Sequence, residues 1–416
     1  MTVAVHSHPP AGDLQSVDEY LAEISAAITP LAPRELSLAD AEGATAAADI
    51  TAGYALPPFD NSAMDGFAVV AADLAGASAE RPVTLPVAGQ VPAGDTREHL
   101  LEPGRCLRIM TGAPVPAGAD AVVPVELTES GDGQVTFRRP VEPGASVRLT
   151  GGDVRPGDLL LTAGTRIGPV ELGLLAAAGH ATVPARPRAR VAVISTGNEL
   201  VEPGTPLARG QIWESNSIML AAAARAAGAD AYRPAAVPDD KAKVLAMIEA
   251  ELGHADLLIT SGGVSMGGEH DVVKAALLEL GEVRFRKVAM QPGMPQGFGL
   301  LGGGRTPILT LPGNPVSAYI SYLLFGRTAL NALQGGSAGG LATARIALAG
   351  PARSPGGKRS FLRGVLSADR TSVTPLTGQA SHQLATLAKA DALIIVPEEI
   401  TAMTAGELAD VLFLHV

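Results

Sequence analysis

The stretch from Ala255 to Asp271 reads ADLLITSGGVSMGGEHD, an apolar run that turns into glycines and serines before a new apolar pattern starts at Val272. Glycines let backbone N–H groups approach a ligand closely, and a helix start favours negative charge. The segment therefore suits an anion held over Ser261, Gly262, Gly263, Val264 and Ser265, although a tight strand-to-helix turn without ligand uses the same residues. Upstream, LPPFDNSAMDGFAV brings Asp60, Asn61, Ser62 and Asp65 together after two prolines. Two carboxylates with amide and hydroxyl oxygens between them suit Mg²⁺, and they also suit an Asx-turn. Other polar or glycine-rich loops are RIMTGAP with Thr111, RLTGGD from Arg148 to Asp153, STGNEL from Ser195 to Leu200, VPDD with Asp239 and Asp240, and LPGNP from Leu311 to Pro315.

Something must carry these loops to one place. From Ala189 the pattern predicts buried strands at 191–196, 231–237, 257–260, 283–289 and 308–311. Helical patterns alternate with them at 216–227, 239–252 (with Asp239 as N-cap), 271–280 and 315–333. Such alternation predicts a doubly wound α/β sheet with helices on both faces. Ligands in such sheets sit at the carboxyl ends of the strands. STGNEL, VPDD, SGGVSMGG, MQPGMPQGFG and LPGNP all fall at predicted strand ends, so they should share one rim.

The rest of the chain reads as three further parts. Residues 1–15 form a His-, Pro- and Gly-containing tail, with His6 and His8 in it. Ser16 and Glu19 stand at capping-box spacing before an apolar face of Val17, Tyr20, Leu21, Ile24 and Ile28. Ser37 is expected to cap a second helix through Ala48. Residues 57–149 read as an inserted β domain, with strands in PVTLPVAGQV, RCLRIMTG, ADAVVPVE and QVTFRR. GPVELGLLAAAG is a helix opened by Pro169 and closed by Gly179. It is expected to rejoin the opening helices, giving a discontinuous helical domain of 1–56 plus 150–188. The α/β domain spans 189–333, and after a glycine-rich linker a C-terminal β domain spans 341–416.

Composition narrows the function classes. Apolar residues make up 47% and charged residues 18%, a globular balance. Aromatics at 3% and a net charge of −11 argue against a nucleic-acid partner and an anionic membrane surface. That charge sits awkwardly with an anionic substrate unless a metal or local positive charge bridges the two. Cys106, the one cysteine, cannot pair within the chain and lies in an apolar strand pattern, so we expect it in the core. No Lys or Arg precedes Arg34, and no apolar run reaches the roughly 18 residues of a membrane span, so we expect a cytoplasmic protein. Zinc spacing, a nucleophile elbow and a Walker A loop are absent from the sequence.

Taken in order from about Ser16, PPFDNSAMDGFAV, RIMTGAP, RLTGGD, STGNEL, SGGVSMG, LPGNPVSAY and GQASHQLATLAKADALIIVP resemble the molybdopterin molybdenumtransferase family, called MoeA in bacteria and the E domain of gephyrin in animals. The resemblance implies a four-domain subunit ending in a β barrel, acting as a homodimer with sites in a cleft between subunits. It implies insertion of molybdenum from molybdate into adenylylated molybdopterin, with Mg²⁺-assisted release of AMP. The enzyme that adenylylates molybdopterin is then an expected partner. Carried onto this chain, the family's catalytic residues fall on Asp60, Asp65, Asp153, Glu199, Thr111 and Arg148, with Asp60, Asp65, Glu199 and Asp239 as metal ligands. Substrate contacts fall on Asn61, Ser62, Ser195, Thr196, Gly197, Asp239, the Ser261–Ser265 loop, Asp271, Pro292, Gly293, Pro312, Gly313, Asn314, Pro315, Ser317, Arg363 and Ser381. The last two resemble positions that face the dimer cleft.

This chain departs from the family where KPGKP is usual and QPGMP stands here. Gln291 and Met294 replace two lysines expected near the anion. That change suggests an alternative, a diverged paralogue that binds pterin or nucleotide without turnover or uses tungstate. Asn198 stands where the family often has Asp.

Overall fold

The computed structural model describes residues 14–263, 272–303, 305–336 and 342–414. The chain separates into two compact units, one of Met1–Ala47, Gly164–Ile167 and Pro184–Val416 and the other of Ala48–Ala163 and Gly168–Val183.

In the first unit a six-stranded sheet runs in the order Asp230–Tyr232, Arg190–Ser195, Leu257–Ser261, Thr306–Leu311, Pro295–Leu301 and Glu282–Lys287. The first four are mutually parallel. Leu257–Ser261 and Thr306–Leu311 are buried throughout, which is why they read as unbroken apolar runs. Helices Asn216–Ala226 and Lys241–Leu252 connect three of these parallel strands, and Val272–Leu280 follows Leu257–Ser261 and precedes Glu282–Lys287 at the far edge.

Several expectations are corrected here. The sheet is mixed, because Pro295–Leu301 runs antiparallel to Thr306–Leu311 and Glu282–Lys287 antiparallel to it in turn. The sequence reading took PQGFG as loop, since its glycines hide the strand. Gly297 and Gly299 are needed there, because a Cβ would come within 2.1 Å of Thr310 Oγ1 and 2.3 Å of the Glu282 carbonyl oxygen. The helix Lys241–Leu252 is capped by Asp240, whose carboxylate accepts from Lys243 N, and not by Asp239. The helix at 315–334 carries a π turn at Tyr322–Gly326 between α segments Pro315–Ser321 and Arg327–Gln334. Ser37 ends a strand, Arg34–Ser37, and its hydroxyl closes a turn with Asp40 where a helix was expected.

The opening helix Val17–Ala27 has the expected capping box between Ser16 and Glu19. Tyr20 packs edge-on against Phe325, ring centroids 4.7 Å apart. In the C-terminal region, strands Arg359–Leu366, Ser372–Pro375, Thr343–Leu348, Leu408–Phe413 and Ala392–Val396 pair in that order, and the last returns to the first. This is a closed five-stranded barrel, and Met290–Gln291 pairs with the start of Arg359–Leu366 as a sixth, short member of the sheet.

The second unit holds a six-stranded sheet in the order Ala121–Pro124, Gly66–Val69, Cys106–Ile109, Val83–Val91, Gln134–Phe137 and Thr128–Gly131. Phe67, Val69, Leu74, Val123, Val135 and Phe137 form one of its cores. Cys106 is fully buried there, and burial pushes its thiol up to about 11. The helix Pro169–Ala177 belongs to this unit, whereas Val17–Ala27 belongs to the other. The sequence reading had grouped the two helices in one discontinuous domain. No helix among the described residues is long and apolar enough to cross a membrane.

Candidate active site

In the first unit, the carboxyl ends of the parallel strands open into a cavity of about 430 Å³. Ser195, Thr196, Gly197 and Glu199 line it after the first strand, Asp239 from VPDD, Ser261, Gly262 and Gly263 after Leu257–Ser261, and Gly313 and Pro315 from LPGNP. Gly262 and Gly263 have φ of +98° and +74°, so the chain turns through left-handed backbone that other residues resist. A Cβ on Gly263 would also lie 2.4 Å from the Val273 side chain. Val264, Ser265 and Asp271, expected here, lie outside the described residues.

Asp239 and Asn198 lock the two neighbouring loops together. Asn198 N donates to Asp239 Oδ2 at 3.2 Å, and Asp239 N donates to Asn198 Oδ1 at 3.1 Å. The amide at 198 thus accepts a bond where an aspartate would add a second carboxylate beside Asp239. Asp240 points to its helix, so Asp239 is the acid of this pair that faces the cavity.

The sequence reading missed Glu214 and Asn216. Glu214 is 2% exposed. Its carboxylate accepts from Ser195 Oγ, Ser217 N and Ser217 Oγ, each at 2.7 Å. Asn216 Nδ2 donates to Ser261 Oγ at 2.8 Å and to the Gly313 carbonyl at 2.7 Å. Together they brace the ends of three strands from the start of one helix. The available signal was WESN, a carboxylate and an amide directly before an apolar helical pattern. Among the described lining residues, Glu199, Asp239 and Glu214 are acids and none is Lys or Arg.

The LPGNP loop reaches the barrel. Asn314 Nδ2 donates to Ser381 Oγ at 3.0 Å, and Val316 N donates to the Ser381 carbonyl. Pro312 and Ser317 are buried beneath it. Arg363 does not present its side chain to an open surface: it is 1% exposed, and its guanidinium donates to the carbonyls of Gly378 and Ala380. Burial lowers its pKa from the ordinary arginine value. Pro292 and Gly293 are buried and do not line the cavity. The Gly293 carbonyl accepts from Gln296 Nε2, and Met294 closes the loop through its carbonyl to Val288 N. Arg284 and Arg286 share one strand face and turn toward the opening helix, Arg284 lying 3.8 Å from Glu23.

The second unit knits its own set. Asp60 Oδ1 accepts from Thr150 N and Oγ1, both at 2.7 Å, and these bonds hold its carboxyl below the usual aspartate range. Asp65 Oδ1 accepts from Thr111 N at 2.7 Å and Oγ1 at 2.8 Å with the same effect. Each keeps its second oxygen outside these bonds. Arg148 pairs with Asn61 across a short ladder, and Asp153 N donates to the Leu56 carbonyl while its side chain is exposed. The side chains of Asn61 and Ser62 are committed to the carbonyls of Phe59 and Met64, shaping the loop. No group of three or more His, Cys, Asp or Glu positioned to hold a metal exists among the described residues.

Three family models match: the MoeA N-terminal region (domain I and II) over residues 15–179, a probable molybdopterin binding domain over 192–332, and the MoeA C-terminal region (domain IV) over 345–414. Molybdopterin molybdenumtransferase 2 of Mycobacterium tuberculosis is 46% identical over 94% of this chain and 98% of its own. The chain belongs to the molybdopterin molybdenumtransferase family. The Haemophilus influenzae molybdopterin molybdenumtransferase is 35% identical over 91% of this chain and 93% of its own. The crystal structure of a molybdopterin biosynthesis MoeA protein from Pyrococcus horikoshii covers 97% of this chain and 100% of that one, with 31% identity and a TM-score of 0.77. The expected class, a transferase of molybdenum cofactor biosynthesis with a multidomain α/β fold, is borne out.

Proposed function

We propose that this chain inserts molybdenum from molybdate into adenylylated molybdopterin and releases AMP, with the cavity at the sheet rim holding the adenylylated substrate. The observation that carries the reading is the lining itself. A site at the carboxyl ends of parallel strands offers Glu199 and Asp239 but no cation among its described residues. A phosphate-bearing ligand needs that charge offset, and Mg²⁺ is commonly held by one or two carboxylates together with substrate phosphates. Glu214 is 2% exposed and already accepts three hydrogen bonds, so its part is to brace the rim. Glu199 and Asp239 are the residues that would hold the ion. Bound there, it would supply Lewis-acid polarisation of the phosphoryl oxygens.

The chain's own groups do the rest. Gly262 and Gly263 carry no side chain, so at these two positions the ligand meets backbone. Glu214 and Asn216 hold Ser195, Ser261 and Gly313 in place before the ligand arrives, which lowers the cost of ordering them on binding. We assign Asp60, Asp65, Thr111 and Thr150 to the same reaction as prepositioned acids, each aspartate fixed by its threonine and left with one oxygen to offer. The reading includes a cytoplasmic homodimer supplied by the enzyme that adenylylates molybdopterin.

The test is AMP release from adenylylated molybdopterin, with and without molybdate, across a Mg²⁺ titration. Release that needs both is expected. AMP formed at the same rate without molybdate would overturn the insertion step.

A further inference from the structure

We propose that Trp213 is the platform on which this cavity stacks the flat fused-ring heterocycle of its ligand. The inference rests on the proposed function above and deepens it, since a pterin joined to an adenylate has a flat ring system at each end. Trp213 lines the cavity with Leu200 and Ile212, yet it is 51% exposed. It is the one tryptophan of a chain with 3% aromatic residues. Large aromatic surfaces contribute most when covered, so an indole left half open in a concave site has surface to give to a partner.

Its position is fixed without its face being used. The indole N–H donates to the Thr205 carbonyl at 2.8 Å. A short parallel ladder pairs Val201 with Trp213 and Leu200 with Ile212. On either side, Ile212 N donates to the Glu199 carbonyl and Glu214 N to the Val201 carbonyl. The ring edge and the backbone are thereby pinned, and no aromatic or cation–π partner among the described residues covers the ring. The same ladder ties Trp213 to Glu199, the acid assigned to the phosphate end. One small element thus carries a flat apolar face and a carboxylate, matching a ligand with a planar ring and a metal-bound phosphate. Stacking on a π-face tolerates any flat heterocycle. The shared chemistry therefore covers pterin and adenine, and the experiment separates them.

The full-length protein with Mg²⁺ is titrated with AMP, 6-hydroxymethylpterin and ribose 5-phosphate, following tryptophan emission corrected for ligand absorbance, with calorimetry in parallel. Because Trp213 is the lone tryptophan, any quenching reports this ring. At least one of the two heterocycles is expected to quench, and Trp213→Ala to weaken that compound about tenfold or more. Trp213→Phe, which keeps a flat ring, should recover most of the affinity, and ribose 5-phosphate should bind Trp213→Ala as it binds the parent. The heterocycle that quenches is the one that stacks. Calorimetric binding with unchanged emission and unchanged affinity in Trp213→Ala would overturn the stacking role and leave the proposed function standing. Failure of all three compounds to bind would overturn both.

Discussion

Replacing Glu214 with alanine should destabilise the first unit by about 2.5–5 kcal/mol. The Glu214 side chain is almost wholly buried, so solvent screening does not weaken its bonds. It accepts from a helix-start N–H and from two hydroxyls, all at 2.7 Å. Losing the bond to Ser217 N is equivalent to losing a helix cap, about 1–2 kcal/mol. The charge-assisted bond from Ser195 Oγ adds about 1.5–3 kcal/mol. The Ser217 hydroxyl can turn to another acceptor and adds little. Glu214→Gln keeps an oxygen for Ser217 N and Ser195 Oγ, and its new NH₂ can donate to the Ser217 hydroxyl after rotation. That variant should cost about 1–2 kcal/mol. Urea unfolding read by Trp213 emission is the assay, since the adjacent ring reports the unit concerned even if the whole chain does not unfold in one step. A Glu214→Ala midpoint within about 0.5 kcal/mol of the parent would refute the reasoning, given that surface substitutions usually fall in that range. So would a Glu214→Gln loss as large as the alanine loss.

The aspartates of the second unit predict a pH dependence. Asp60 and Asp65 titrate below the ordinary 3.8, because backbone and then hydroxyl bonds from Thr150 and Thr111 favour the charged form. Stabilisation from a depressed acid is present above its unfolded value and lost as pH falls through the folded one. The two loops should therefore hold across neutral pH and loosen only below about pH 4. NMR titration of Thr150→Val and Thr111→Val should show each carboxyl moving back up, and an unmoved titration would sink the account. The buried thiol of Cys106 should resist a disulfide reagent at pH 8 in the native protein and react once unfolded. Rapid native labelling would contradict its placement. Gly263→Ala should lower the melting point through a loss of about 1–3 kcal/mol, because φ is left-handed and Val273 leaves no room. A melting curve unchanged from the parent would show that the turn relaxes.

Much of the rim was legible because strand-end glycines and polar loops interrupt long apolar runs. STGNEL, VPDD, SGG and LPGNP all reach one cavity. The misread parts have identifiable causes. Asp239 and Asp240 are both good helix caps, and only backbone direction decides that Asp240 caps while Asp239 meets Asn198. PQGFG has the composition of a turn, and its strand exists because the glycines let Thr310 and Glu282 approach. Arg363 was expected, from the resemblance alone, at a position facing the dimer cleft, but the loop it binds folds back over it from Gly378 to Ala380. Glu214 was passed over because its partner Ser195 is distant in sequence, so no local spacing links them.

The sequence pattern places a domain boundary between residues 333 and 341. Hydrogen bonding ignores that boundary. Met290 and Gln291, from the sheet region, form a parallel extension of the barrel strand beside Arg359 and Ser360. Phe361, Leu393 and Leu412 of the barrel share one apolar cluster with Tyr20, Leu309 and Phe325. A unit of inheritance and a unit of cooperative opening are therefore different things in this chain. Amide exchange in the barrel strand Arg359–Leu366 should follow that of the sheet, and a barrel excised at the sequence boundary would lose the strand and the apolar wall that complete it.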